Sequence, residues 1–224
     1  LSTDQLSQRV RLARGSLFAL DLGRLVEARE MLDQLGPRVV TSPEMLAFHA
    51  MNSFRYHSAM GDVAACETDY ATMLRAVAAS GSEYWAAWTR TPAHYLGLLR
   101  GVPVKLEASL ERARFPFIRV MAAWHEVRFT GDANALESEE RTDISDAAIV
   151  LALAHAARAL LAGEAQEAAN EARAAIAVAS EEGLALWGAD AAVALAEATL
   201  FDGGGAFEGA VDHLCAVAGE QGRL

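Results

Sequence analysis

The sequence predicts an all-α chain of about six antiparallel helix pairs stacked one on the next. Three observations carry that expectation. Glycines recur where one helical pattern stops and the next begins: Gly23, Gly61, Gly101, Gly131, Gly163 and Gly205, spaced 38, 40, 30, 32 and 42 residues apart. Five residues after each stands a small or apolar residue (Ala28, Cys66, Leu106, Leu136, Ala168, Ala210). Four further on come Leu32, Tyr70, Leu110, Glu140, Ala172 and Leu214, a column that Glu140 alone breaks. Strand patterning is nearly absent, since Arg38-Val39-Val40-Thr41 is too short and falls in a linker.

Packing explains the pattern. Glycine reaches the left-handed conformation that closes a helix without a Cβ penalty. A small residue one turn into the next helix lets two axes approach, and a bulkier one a turn later fills the groove between them. A single pair cannot bury its apolar faces, so pairs must stack.

The pairs are drawn at 3–35, 43–80, 83–113, 115–140, 144–182 and 184–221, with the first helix of each termed A and the second B. The first turns at Gly23. The second opens on Ser42-Pro43-Glu44, which offers a cap, a first-turn proline and a first-turn carboxylate. Its B helix places Cys66, Tyr70, Met73, Leu74 and Val77 at helical spacing. In the third, Pro92 falls inside the A helix and is expected to kink or break it. The fourth B helix runs into Glu137-Ser138-Glu139-Glu140-Arg141-Thr142-Asp143 and is expected to be short or frayed. The fifth holds the apolar run Ala147–Ala157, too short for a membrane span of about 20 residues and so read as a buried helix. Its B helix puts Ala165, Ala168, Ala169, Ala172, Ile176 and Ala179 on one face, with Glu164, Glu167, Glu171 and Arg173 mostly opposite. The expected organisation is one continuous domain over 1–224, with a weak joint at 137–143 between lobes 1–136 and 144–224.

Composition narrows the classes. Nineteen basic against thirty acidic residues give a net charge of −11, which opposes nucleic-acid contact by this segment. Only Lys105 is a lysine. The polar start Leu1-Ser2-Thr3-Asp4-Gln5 lacks the basic region of a signal peptide, and the missing initiator Met points to a piece of a longer protein. Cys66 and Cys215 lie far apart inside helical patterns and are expected as small core residues. These features together predict a cytoplasmic protein with no membrane contact.

Motifs for chemistry fail individually. His125-Glu126 has Phe129 where a zinc-protease helix needs its second His. Gly203-Gly204-Gly205 lacks the Gly-Lys-Ser/Thr that completes a phosphate loop. Asp212-His213-Leu214-Cys215 sets His and Cys two apart, on different helix faces. The acidic run at 137–143 lacks the ligand order and glycine of a calcium loop. No catalytic residue, metal ligand or cofactor is therefore assigned.

Aromatic and imidazole groups are distributed unevenly. Trp85, Trp88, Trp124 and Trp187 all fall in A helices, as do His49, His57, His94, His125 and His155. Polar groups recur there at helical spacing: His49, Asn52 and Arg55 or Tyr56; Trp124, His125 and Arg128; His155 and Arg158. A groove lined by Trp85, Trp88 and these groups suits a small polar ligand or an extended peptide. Any one Trp also suits core filling and any one His an interior position, so the reading rests on the collective bias.

The stretch Gly163-Glu-Ala-Gln-Glu-Ala-Ala-Asn-Glu-Ala-Arg-Ala-Ala-Ile176 resembles the second helix of a tetratricopeptide repeat, as does Gly23-Arg-Leu-Val-Glu-Ala-Arg-Glu-Met-Leu32. The spacing near 40 departs from the repeat length of about 34. The run from Ala179 to Ala196 is similar to segments linking repeats in large bacterial signalling ATPases that carry a LuxR-type DNA-binding end. The resemblance covers most of 1–36 and 144–221, and the middle only weakly. It implies a tetratricopeptide-like right-handed superhelix whose A helices line the concave face. It further implies a ligand-sensing domain of a bacterial transcriptional regulator, binding a small-molecule effector or peptide and touching other domains of the same regulator. The alternative is a protein–protein interaction scaffold that holds a partner helix or peptide.

Overall fold

A computed structural model describes residues 3–36, 42–102, 116–136 and 145–203, together with 209, 211, 212 and 215. Helices dominate, and no strand occurs among the described residues. Their order is α1 (Thr3–Asp21), α2 (Leu25–Leu35), α3 (Pro43–Ala59), α4 (Val63–Ser80), α5 (Glu83–Trp88), α6 (Arg90–Arg100), α7 (Pro116–Thr130), a 3-10 turn (Ala133–Leu136), α8 (Ser145–Leu161), α9 (Ala165–Glu182) and α10 (Ala185–Phe201). No described helix is long and apolar enough to cross a membrane.

The contacts divide the chain into two compact units, Leu1–Glu107 and Ala108–Leu224. The stretch 137–143, expected as the joint, lies outside the described residues. In the first unit α1 packs on α2, α3 on α4, and α1 and α2 both reach α3; α6 closes on α3 and α4. In the second, α7 packs on α8, α8 on α9, and α9 on α10, which also returns to α8. First helices of successive pairs thus touch within each unit: α1 to α3, α3 to α6, α8 to α10.

The glycine turns form as the sequence predicts. Gly23, Gly61, Gly101, Gly131 and Gly163 all have positive φ, and Gly205 lies outside the described residues. At Gly61 the N–H donates to Ser58 O (3.1 Å) and the Asp62 N–H to His57 O (2.9 Å). Both are carbonyls that the end of a helix otherwise leaves without a partner. The same two bonds recur at Gly23 (to Leu20 O and from Arg24 to Ala19 O), Gly101, Gly163 and Gly183. Helix starts are equally local: Ser42, Asp62 and Ser82 accept from Met45, Ala65 and Trp85 N–H at 3.4, 3.0 and 3.4 Å.

The small-residue column is where the helices meet. Ala28, Cys66 and Ala168 are completely buried, Leu136 nearly so, and Ala172 and Leu32 follow them into the core. Leu106, Leu110, Glu140, Ala210 and Leu214 lie outside the described residues. In the second unit Ala168 and Ala169 of α9 meet Ala156 and Ala159 of α8 and Ala198 of α10, a seam of methyl groups with Leu160 and Leu195 packed against it. Close approach recurs at Gly15, where an added Cβ would stand 2.8 Å from Met31 Sδ across the α1–α2 contact. Larger side chains fill the rest, including Phe54, Leu96, Ile118, Met121 and Leu153, each worth about 1.5–3 kcal/mol when fully buried.

Three expectations are refined. The third A helix is broken into α5 and α6 at Thr89, whose N–H turns back to Ala86 O (3.3 Å). Pro92, three residues on, has no N–H to give to Trp88 O, so the first helix ends there. The fourth B helix is a single 3-10 turn as far as it is described. Leu74 is 42% exposed, because it sits a further 60–100° round the helix from Met73 and Val77 and falls at the rim.

The cysteines differ. Cys66 is buried with its thiol towards Phe54 O (3.8 Å), and burial pushes it up to about 12. Cys215 is exposed, which corrects the expectation of two core residues. It follows Gly209 and Asp212 at three-residue intervals, and all three are exposed, so the register puts it on the solvated side.

Candidate functional site

In the first unit most of the predicted lining is used to hold helices together. Asn52 on α3 is completely buried, and its amide donates to Ala13 O (3.3 Å) and Ser16 Oγ (3.2 Å) on α1. Arg55, one turn on, donates to Asp21 at the end of the same helix. His49 meets Leu32 O of α2 at 3.1 Å and stands against Gly36, where a Cβ would come within 3.3 Å of its Nε2. Trp85 packs on Phe48 (5.7 Å between centroids) and edge-on to Tyr84 (5.1 Å), with Trp88 beside them over Met51, Met73 and Val77.

Tyr56 belongs to a polar cluster at the junction of α2, α3 and α4. The Arg29 guanidinium lies 5.6 Å over its ring. The neighbouring His57 contacts Asp69 Oδ2 through Nδ1 (2.7 Å) and Arg29 Nη1 through Nε2 (3.4 Å). Arginine only donates, so in the neutral ring Nε2 accepts and the Nδ1 proton goes to Asp69. Burial pushes the Asp69 carboxyl above its ordinary value of 3.8, against the opposing pull of the bond from His57. Arg29 also donates to Asp33 (2.9 Å). Sequence reasoning passed over Arg29 and Asp69. The one signal for Asp69 is its place on α4 across the Gly61 turn from His57; Arg29 lies 28 residues from His57, which helical spacing does not reveal.

In the second unit Trp124 and His125 are buried in α7, His125 against Phe129 at 4.8 Å. Trp187 is also buried, edge-on to Phe117 of α7 at 5.8 Å. Arg128 makes a two-pronged ion pair with Glu197 of α10, at 2.9 and 2.5 Å. Arg128 and Trp187 therefore tie α7 to α10.

His155 and Arg158 line a cleft of about 1130 Å³ where α7, α8, α9 and α10 end or begin. Gly131 follows α7; His155, Arg158 and Leu161 come from the last turns of α8. Glu164 caps α9, whose first turns give Glu167 and Glu171, and α10 closes on Phe201 and its cap Asp202. The glycine turn at Gly163 positions this set, because it reverses α8 into α9 within three residues. The volume suits a small molecule or a short peptide. Guanidinium and imidazole can donate to an anion, the carboxylates can accept from an ammonium or hydroxyl, and Phe201, 70% exposed, offers an aromatic face.

No group of three His, Cys, Asp or Glu side chains is placed to hold a metal ion among the described residues. Cys66, with its thiol held protonated and buried, is not a nucleophile at neutral pH. Comparison with protein-family models, with curated proteins and with solved structures finds no match for the chain.

Proposed function

We propose that this chain is a non-catalytic, tetratricopeptide-like binding module, the ligand-sensing domain of a bacterial transcriptional regulator. The cleft at the ends of α7–α10 carries the reading: it gathers guanidinium, imidazole, carboxylate and aromatic groups from different helices. The contacts of first helix to first helix within each unit support the stacked-repeat part of it. The regulator part rests on the resemblance of the Gly23 and Gly163 segments to repeats of that kind. The effector is a small polar molecule or short peptide carrying both an anionic group, for Arg158 and His155, and a donor group, for the carboxylates.

A thermal-shift screen of sugars, nucleotides, amino acids and short peptides tests this. A stabilising class whose effect disappears in Arg158→Ala is the expected result; Arg158 is exposed, so the substitution leaves the fold intact. No stabilisation by any class, or stabilisation indifferent to Arg158, refutes the cleft as the site.

A further inference from the structure

The first unit presents a second surface of different character. At about 100° per residue, Val10, Arg11, Arg14, Phe18 and Leu22 share one arc of α1. Ala13, Ser16, Ala19 and Leu20 on the other side are buried where the helix packs on α2 and α3. On the outer arc Val10 is 39% exposed, Phe18 61% and Leu22 47%, and Val26 at the start of α2 is 74% exposed. Large apolar side chains standing together in water mark a binding surface more often than scattered single ones do.

The exposed charges described on this arc are Arg11 and Arg14, since Asp21 at the end of the helix is held by Arg55. Elsewhere in the unit Arg24, Arg29, Arg55 and Arg100 each meet a carboxylate (Glu27, Asp33, Asp21 and Glu67), and Arg75 bonds the Thr72 hydroxyl. Arg11 and Arg14 are exposed and meet none among the described residues. Two uncompensated guanidiniums thus lie between Val10, Phe18 and Leu22 in a chain of net charge −11. A second copy pairing α1 on α1 in parallel would bring these arginines together, which like-charge repulsion opposes.

We infer that the outer face of α1 docks an amphipathic helix of a partner protein whose apolar stripe is flanked by carboxylates. The stripe from Val10 to Leu22 extends about 18 Å, three to four helical turns, so a partner helix of that length would cover it. Phe18 and Leu22 would enter the partner's apolar stripe, and Arg11 and Arg14 would each reach a Glu or Asp on its flank. A single helix face of this size gives a modest, salt-sensitive affinity, with charge setting the choice of partner. This surface belongs to the other unit from the cleft and does not depend on the effector reading.

The test uses the full chain and two labelled peptides of about 18 residues, long enough for the stripe. Both carry leucines at helical spacing, one flanked by glutamates and its twin by lysines. Fluorescence anisotropy should show the glutamate peptide binding and the lysine twin not. Arg11→Glu with Arg14→Glu, and separately Phe18→Ser, should each weaken binding by about tenfold or more. Unchanged circular dichroism and melting temperature in both variants separate this loss from unfolding. Absence of binding, equal binding of the twin, or indifference to the substitutions overturns the inference. So does sedimentation showing a self-dimer that Phe18→Ser dissolves. Binding to phosphatidylserine vesicles with the same residue dependence, in place of the peptide, also overturns it.

Discussion

Ala168 offers the sharpest test of how the helices are held. It is completely buried and faces Ala156, Ala159 and Ala198 on two other helices. Leucine at this position adds three carbon atoms where the surrounding methyl groups leave no space. α9 must then move away from both neighbours, or the new side chain must leave its rotamer minimum. Overpacking of this kind costs about 1–3 kcal/mol, with the upper end expected because two interfaces open together. Ala174→Leu on the same helix is the control: it is exposed, and leucine and alanine differ little in helix propensity, so its cost is under about 0.5 kcal/mol. Urea unfolding followed by circular dichroism measures both. A shift in midpoint at constant slope for Ala168→Leu, with Ala174→Leu near wild type, is the expected pattern. Equal costs at the two positions would show that the alanine seam does not set the distance between the helices.

Three further outcomes follow from the same geometry. Gly61→Ala should lose about 1–2 kcal/mol although its Cβ would meet nothing within 4 Å, because φ of +69° is strained for any side chain; a neutral result in thermal unfolding would refute the left-handed turn. Asn52→Ala should cost about 2 kcal/mol by removing two buried hydrogen bonds to α1 and leaving a small void, and urea titration checks it. For Asp69, whose native carboxyl is raised, the folded state binds the proton more tightly than the unfolded one. Its stabilisation is therefore complete below the ordinary value of 3.8 and is lost as pH rises through the native value. Asp69→Asn should gain relative to wild type as pH climbs from about 3.8, measured by denaturant midpoints; a difference that falls with pH would reverse the sign of the argument.

The turns and the close contacts were legible because both depend on residues near one another in sequence. A glycine ends a helix by bonding within its own last turn, and Ala28, Cys66 and Ala168 follow at fixed offset. Pro92 announces the break before α6 for the same local reason, a missing N–H. The polar groups were harder. Periodicity places His49, Asn52 and Arg55 on one helix but says nothing of what faces them. Their partners Leu32, Ala13, Ser16 and Asp21 lie 17, 39, 36 and 34 residues away. Arg128 and Glu197 are 69 apart. The cleft was hidden for a related reason: it is assembled from the ends of several helices, whereas helical spacing reveals only their sides.

The repeated glycine turn has a consequence for how such a chain can change. Each turn is closed by bonds to carbonyls of the helix it ends, so its shape does not depend on which helix comes next. A helix pair inserted between Gly81 and Ser82 would therefore break one bond at that boundary, from the Ser82 N–H to Ser80 Oγ (3.2 Å), and leave the Gly81 bond to Val77 O in place. Length becomes a variable counted in whole pairs. The surfaces between pairs, made largely of alanine methyls in the second unit, ask little of a newcomer beyond a small residue at the right offset.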